Sequence, residues 1–325
     1  MKKILKSITL IVLTLLVAAI AVLPLAACTQ SADFTVGIIQ LAPHVALDKA
    51  TQGFIDGLTE EMNKAGKTVK FDLQNAQGDS ATCPTIVNSF VSKNVDLIMA
   101  NATAALQAAA NATVKIPILG TSVTEYGVAL GINDFNGTVG GNVSGTSDLA
   151  PLAEQARMII DLYPSAQKIG LLYCSAEPNS KYQVEAVKSI LEAAGKTANL
   201  FSFSDSNDLS SVCTDAASKS DALYAPTDNT VASNTETINN VCQGKIPVFS
   251  GEEGICVGCG VVTLSISYYN IGVKTGKMAA EILLNGADIS TMPVAYDDAP
   301  VKKFVKSRCE AFGITVPSDY VEIPE

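Results

Sequence analysis

DALYAPTDNT, residues 221–230, opens on an acid, runs through apolar residues and ends in Thr227, Asp228, Asn229 and Thr230. Its reading decides the fold because the same shape occurs earlier, in DLIMANATAA (96–105). Short apolar runs bounded by turn-forming residues are the mark of strands buried on both faces, as in parallel sheets. The polar groups at the stop of each run are then the residues that such a sheet presents beyond its carboxyl edge, where ligands bind.

The segments around these two runs repeat as well. FTVGIIQLA (34–42) reads as a strand, and HVALDKATQGFIDGLTEEMNKAG (44–66) as a helix with Phe54, Leu58 and Met62 on one face, ended by Gly66. VKFDLQNA, CPTIVNSFVSKN, AALQAAANATVK and IPILGTS continue the strand–helix rhythm. In the second half KIGLLYCSA (168–176) matches TVGIIQLAP (35–43) in type, and KIPVFSGEEG (245–254) answers KIPILGTSVT (115–124). The offsets of the three pairs are 133, 125 and 130 residues. A repeat of that length is too long for a solenoid unit and predicts two doubly wound α/β lobes. The carboxyl ends of the strands are predicted at 40–44, 76–80, 101–103 and 121–124 in one lobe, and at 174–180, 204–207, 227–229 and 250–253 in the other. Two lobes facing each other across these ends would enclose a small polar molecule.

The N-terminus stands apart from the fold. Lys2, Lys3 and Lys6 precede a stretch from Ile8 to Ala27 that is apolar except for Thr9 and Thr14, and it closes with Leu25-Ala26-Ala27-Cys28. This resembles a bacterial lipobox. It implies a signal peptide over 1–27, a lipid on Cys28 that anchors the chain to the membrane, and a tether over 28–33. Several acyl chains give stable anchoring where one is marginal. No later segment is long and apolar enough in sequence to span a bilayer.

Without the three leader lysines the chain carries 19 basic against 32 acidic residues, a net charge of −13. Such a surface has no basic patch to grip phosphates and excludes nucleic acid as a partner. Of the eight cysteines, Cys28 would carry the lipid. Cys83, Cys174, Cys213, Cys242, Cys256, Cys259 and Cys309 remain, an odd number, as one or two disulfides or as buried small residues. Cys256-Val-Gly-Cys259 has no second pair at zinc-binding spacing, and no metal or cofactor is expected. GxSxG, HExxH and P-loop motifs are absent, and the chain has one histidine, His44. NGTVGGNVSG (136–145) lacks the strand–turn–helix context of a phosphate loop and reads as the approach to a hinge. The chain is therefore not expected to be an enzyme.

His44-Val-Ala-Leu-Asp48 with Gly53-Phe54, Gly78-Asp79, Asn101-Ala-Thr103, Ile116-Pro117, Gly145-Thr-Ser-Asp148, Ala225-Pro-Thr-Asp-Asn229, Ile246-Pro247 and SYYNIGVKTGKMAAEILLNG (267–286) follow one another in this order. Together they resemble the solute-binding lipoproteins of bacterial ABC importers, in the group that includes aromatic-amino-acid binders. The resemblance covers nearly the whole chain after Cys28. Pro43-His44-Val45 and EEGICVGCG (252–260) depart from the group's pattern. The resemblance implies the type I periplasmic-binding-protein architecture, two flavodoxin-like lobes joined by a three-segment hinge. The first lobe would take 34–146 with about 269–298, and the second 147–268 with about 299–325. It further implies a monomer that captures an amino acid, aromatic or branched apolar, and delivers it to a membrane permease. A sensor on the same fold signalling to a membrane receptor, and an importer component for nucleosides or peptides, are the alternatives.

An amino acid's charged ends need partners when buried. Asp228 is the expected partner of the ammonium, through a charge-assisted hydrogen bond, with Thr227 and Asn229 beside it. Asn101, Thr103 and Thr121 are expected to take the carboxylate, the first two at a helix N-terminus with free N–H groups. His44, Gln40, Ser147, Asp148, Asn179, Ser180 and Glu252 complete the candidate set. Asp228, Asn101 and Thr103 also suit helix capping. Tyr126, Tyr173, Tyr182, Tyr268 and Tyr269 are residues that could pack on an aromatic ligand, while the absence of Trp removes the usual platform for sugars.

Overall fold

The two quoted runs form β3 (Leu97–Asn101) and β8 (Ala222–Ala225), each buried at every position. The computed structural model describes residues 32–297 and 299–324, so the expected leader and the lipid on Cys28 lie outside the described residues.

The first sheet contains β1 (Phe34–Gln40), β2 (Val69–Asn75), β3, β4 (Ile118–Val123) and β5 (Val143–Ser147) in the order β2-β1-β3-β4-β5, all parallel. Helices α1 (Val45–Lys64), α2 (Cys83–Lys93), α3 (Thr103–Ala112) and the short α4 (Tyr126–Leu130) connect them. The continuous apolar runs have their cause here. Ile98 and Ala100 of β3 face a cluster with Phe90 and Leu106, whereas Leu97 and Met99 face Phe54, Leu58 and Met62 on the other side. With both faces covered, neither parity of the strand can be polar.

The second sheet contains β6 (Lys168–Cys174), β7 (Thr197–Phe203), β8, β9 (Val248–Ser250), β10 (Val262–Ser265), β11 (Val301–Phe304) and β12 (Val321–Glu322). Its order is β12-β11-β10-β9-β8-β6-β7, parallel except where β11 runs against β10. Its helices are α5 (Leu152–Leu162), α6 (Pro178–Ala193), α7 (Ser206–Lys219), α8 (Asn229–Ser233), α9 (Thr235–Cys242), α10 (Glu253–Cys259) and α12 (Lys306–Ala311). The order β2-β1-β3-β4 of the first sheet recurs as β7-β6-β8-β9, which is the sequence repeat in three dimensions.

Helix α11 (Tyr268–Asn285) comes between β10 and β11 in sequence, yet packs on α1 of the first lobe. Four glycines make this contact. A Cβ on Gly53 would stand 2.1 Å from the Tyr269 carbonyl oxygen, and one on Gly272 would stand 2.1 Å from that of Ala50. Gly57 and Gly276 meet backbone at 2.7 and 2.6 Å in the same way. After α11 the chain pairs with β5: Ser147 N–H donates to the Ala295 carbonyl, and Ala295 N–H to that of Gly145. The chain thus passes between the sheets after β5, before α11 and again before β11.

Candidate ligand-binding site

The carboxyl ends of both sheets meet at a polar cavity lined by His44, Leu47, Ser122, Asp148, Asn179, Thr227, Asp228, Asn229, Ala232, Glu252 and Tyr268. Local structure positions each group. His44 is the residue before α1 and leaves that helix without a side-chain cap. Ser122 sits near the end of β4 at φ 53°, a left-handed conformation uncommon for a residue with a side chain. Asp148 directly follows β5, Glu252 caps α10 and Tyr268 opens α11. The void between them is about 10 Å³, room for about one water and too small for an amino acid. A second, larger cavity of about 550 Å³ adjoins it at Asn179 and Asn229, with Leu41, Ala42, Pro43, Ala104, Ala176 and Pro178 among its walls.

Three carboxyl groups line the small cavity, and no Lys or Arg does. Two of the three are compensated by backbone N–H groups. Asp228 caps α8, its Oδ1 accepting from Val231 N–H at 2.9 Å and its Oδ2 from Cys174 N–H at 2.7 Å. Glu252 accepts from Gly254 and Ile255 N–H at 2.6 Å each. Asp148 differs: its Oδ2 accepts from the Tyr268 hydroxyl at 2.9 Å, while its buried Oδ1 has no partner.

Burial sets the protonation of these groups. It pushes Glu252 up to about 7 against the pull of its two N–H donors. Asp148 is raised by burial, opposed by the hydroxyls of Thr124 and Tyr268. Asp228 is raised by burial and then by the nearby Glu177 carboxylate. Burial also lowers His44, favouring the neutral ring. The tautomer follows from its neighbours. Asn229 Nδ2 donates to Glu177 Oε2 at 2.6 Å, which turns Asn229 Oδ1 towards His44 Nε2 at 3.2 Å. Nε2 therefore carries the proton, and Nδ1, which is buried and without a partner, offers a lone pair. Ser122 Oγ is unpartnered too. The cavity thus holds two unused acceptors and one unused hydroxyl.

The structure brings His44, Asp148, Asn179, Thr227, Asp228, Asn229 and Glu252 of the candidate set together in this lining. The others lie outside it. Gln40 donates to the Ala42 carbonyl and to Asp48, and accepts from Thr51. Asn101 Nδ2 donates to the Leu47 carbonyl and to Thr51 Oγ1, its Oδ1 remaining unpartnered. Thr121 bonds Thr146, Ser147 donates to the Thr124 carbonyl, and the Ser180 hydroxyl supports Asp228. Thr103 opens α3, which has no side-chain cap, and its buried hydroxyl has no partner. Sequence reasoning did not single out Ser122, whose signal was only its place at a strand end, or Glu177, which orients Asn229.

Two homologous sheets, joined by three crossings and closed over a polar seam, define a two-lobed binding protein. Its residues 35–322 match the ABC transporter substrate binding protein family, and the chain belongs to that family, whose members work outside the cytoplasm. It is 37% identical over 260 residues to "Tyrosine-binding protein" of Clostridioides difficile, covering 80% of this chain and 75% of that one. It is 33% identical to an ABC domain from Streptococcus pneumonia solved in complex with L-Trp, with a TM-score of 0.82 over 88% of this chain and 99% of the other. A substrate binding protein with adhesive properties from Clostridium difficile, in its ligand-free, open structure, is 36% identical with a TM-score of 0.68 over 90% and 100%. Identity is nearly equal in the last two, so the lower score against the open form agrees with the closed arrangement described above. Among the described residues no helix is long and apolar enough to cross a membrane.

Proposed function

We propose that the chain is the amino-acid-capturing component of an ABC importer, with an aromatic amino acid as its ligand. The observation that carries the reading is the trio Asp148 Oδ1, His44 Nδ1 and Ser122 Oγ, buried and unpartnered around one cavity. An ammonium donates to the first two, which are acceptors only. The carboxylate is received by the Ser122 hydroxyl and by the uncapped N-terminus of α1, where free N–H groups favour an anion. The apolar walls of the larger cavity take the side chain. The relatives' tyrosine and tryptophan support the aromatic choice. Ligand contacts from both lobes stabilise the closed form, and the closed form docks on the permease. No covalent chemistry is required of any residue. The same proposal includes export by the leader, anchoring through lipid on Cys28, a monomeric state and the lobe boundaries expected from the sequence.

Calorimetric titration of the delipidated chain tests this directly. Tyrosine, tryptophan or phenylalanine should bind with micromolar or tighter affinity, and the N-acetyl derivative of the same amino acid should not. Binding of adenosine or ribose with none of the three amino acids would reject the reading.

The raised acids also fix a pH dependence. A carboxyl whose folded pKa lies above its unfolded value stabilises the fold fully below the unfolded pKa and loses that contribution as pH rises through the folded one. For Glu252 the window runs from 4.5 to about 7, and Asp148 acts with the same sign. With three raised acids against one lowered histidine of opposite sign, the ligand-free protein should melt at a lower temperature at pH 8 than at pH 5. A bound ammonium favours the ionised acids and a neutral His44, so binding expels protons. Affinity should fall from pH 8 to pH 5.5, by up to about tenfold per unit for each proton displaced. Titrations in buffers of different ionisation enthalpy count those protons, and a count of zero would contradict the assignment.

A further inference from the structure

The seven cysteines of the described residues are all buried, and their sulfurs are not equivalent. Those of Cys174, Cys259 and Cys309 donate to the backbone carbonyls of Ser204, Ile255 and Val261. Cys213 and Cys242 instead meet each other, sulfur to sulfur at 3.6 Å. Cys213 lies within α7 and Cys242 is the last residue of α9. The two helices pack together, and both cysteines belong to one core cluster with Leu209, Ala216, Ile238 and Ile246. The pair is separated by 29 positions, and the segment between them holds β8, the turn Thr227–Asn229 and α8.

We propose that Cys213 and Cys242 form a disulfide in the exported chain, fastening α7 to α9 and closing a covalent loop around the turn that carries Asp228. A disulfide needs its sulfurs about 2.05 Å apart, so they must approach by about 1.5 Å from the 3.6 Å of the structure. The family works outside the cytoplasm, where such bonds persist. The oxidant is a low-molecular-weight disulfide or a disulfide-exchange protein. One thiolate attacks it to give a mixed disulfide and expels one thiol. The second thiolate then displaces the other, forming the Sγ–Sγ bond. Two protons leave the cysteine pair and two electrons pass to the oxidant, which ends as two thiols. The pairing uses two of the seven cysteines and leaves five as thiols. It does not depend on the ligand.

The peptide chemistry makes the test direct. Lys196, Lys219 and Lys245 bound two tryptic peptides, 197–219 and 220–245, with one cysteine in each and no other Lys or Arg inside. The full mature chain is equilibrated with excess glutathione disulfide over glutathione, denatured with alkylating agent and no reductant, and digested. The expected product is one species with the summed mass of the two peptides less two hydrogens. Recovery of both peptides alkylated, or of either joined to a different cysteine, would overturn the proposal. Reduction of the oxidised chain should lower Tm by roughly 5–10 °C, from the loop-closure effect in a domain of this size. Cys213→Ser should abolish the linked species, leave Cys242 alkylated and remove that response to reductant. An equal response in the variant would refute the stabilising role.

Discussion

Replacing Asp148 with Asn should weaken binding of the amino-acid ligand by about 2–5 kcal/mol, the scale for breaking a buried charge pair, or roughly thirtyfold to several thousandfold. Asp148 Oδ1 is the one carboxylate oxygen of the lining that is buried without a hydrogen-bond partner, which leaves it open to a ligand cation. The substituted amide would keep the shape and could still accept from Tyr268, but the charge would be gone. Asp228→Asn is the comparison that gives this result its meaning. Both Asp228 oxygens already accept from backbone N–H groups, and asparagine caps helices about as well as aspartate. Its cost in affinity should be smaller than that of Asp148→Asn, with part of the effect appearing as lost stability. Affinities from calorimetry, beside melting curves of each variant, separate the two. The opposite ranking would move the ammonium to Asp228, as the sequence alone suggested.

The second large effect is expected far from the ligand. Gly53→Val should destabilise the chain by about 4 kcal/mol or more, the extreme of single substitutions, seen as a large fall in Tm or as failure to fold. The added Cβ would stand 2.1 Å from a backbone carbonyl oxygen, and backbone on both helices would have to move to relieve it. Gly66→Ala is the contrasting control. Its position at φ +65° is strained for a side chain but has nothing within 4 Å, so its cost is conformational and smaller, on the order of 1 kcal/mol. If Gly53→Val melts like Gly66→Ala, the helices have room that the structure does not give them.

The architecture was legible because the central strands of both sheets are covered on both faces, which writes strands such as β3 and β8 as apolar runs with polar residues at their ends. The internal repeat then gave two lobes facing across those ends. The site was legible in part for the same reason, since Thr227, Asp228, Asn229 and Glu252 all lie in the turns just after a strand. What separated cavity-lining residues from their neighbours depended on contacts between distant segments. Gln40 and Asn101 are both taken up through Thr51 of α1, a residue no pattern in the strands points to. Asp148 keeps one oxygen unpartnered while Tyr268, 120 positions later, donates to the other. The left-handed backbone at Ser122 has no glycine to announce it. The sulfur contact between Cys213 and Cys242 depends on how α7 and α9 pack, and cysteine spacing alone left the pairings open.

The glycine-lined contact of α1 with α11 has a mechanical consequence for transport. His44 stands at the head of one helix and Tyr268 at the head of the other, and backbone contact along both helices couples them stiffly. If the first lobe moves as a solid piece on opening, its outer relief would be the same with or without cargo. A permease touching that lobe alone would learn nothing about loading. It must span both lobes and gauge the gap between them, much as a caliper does.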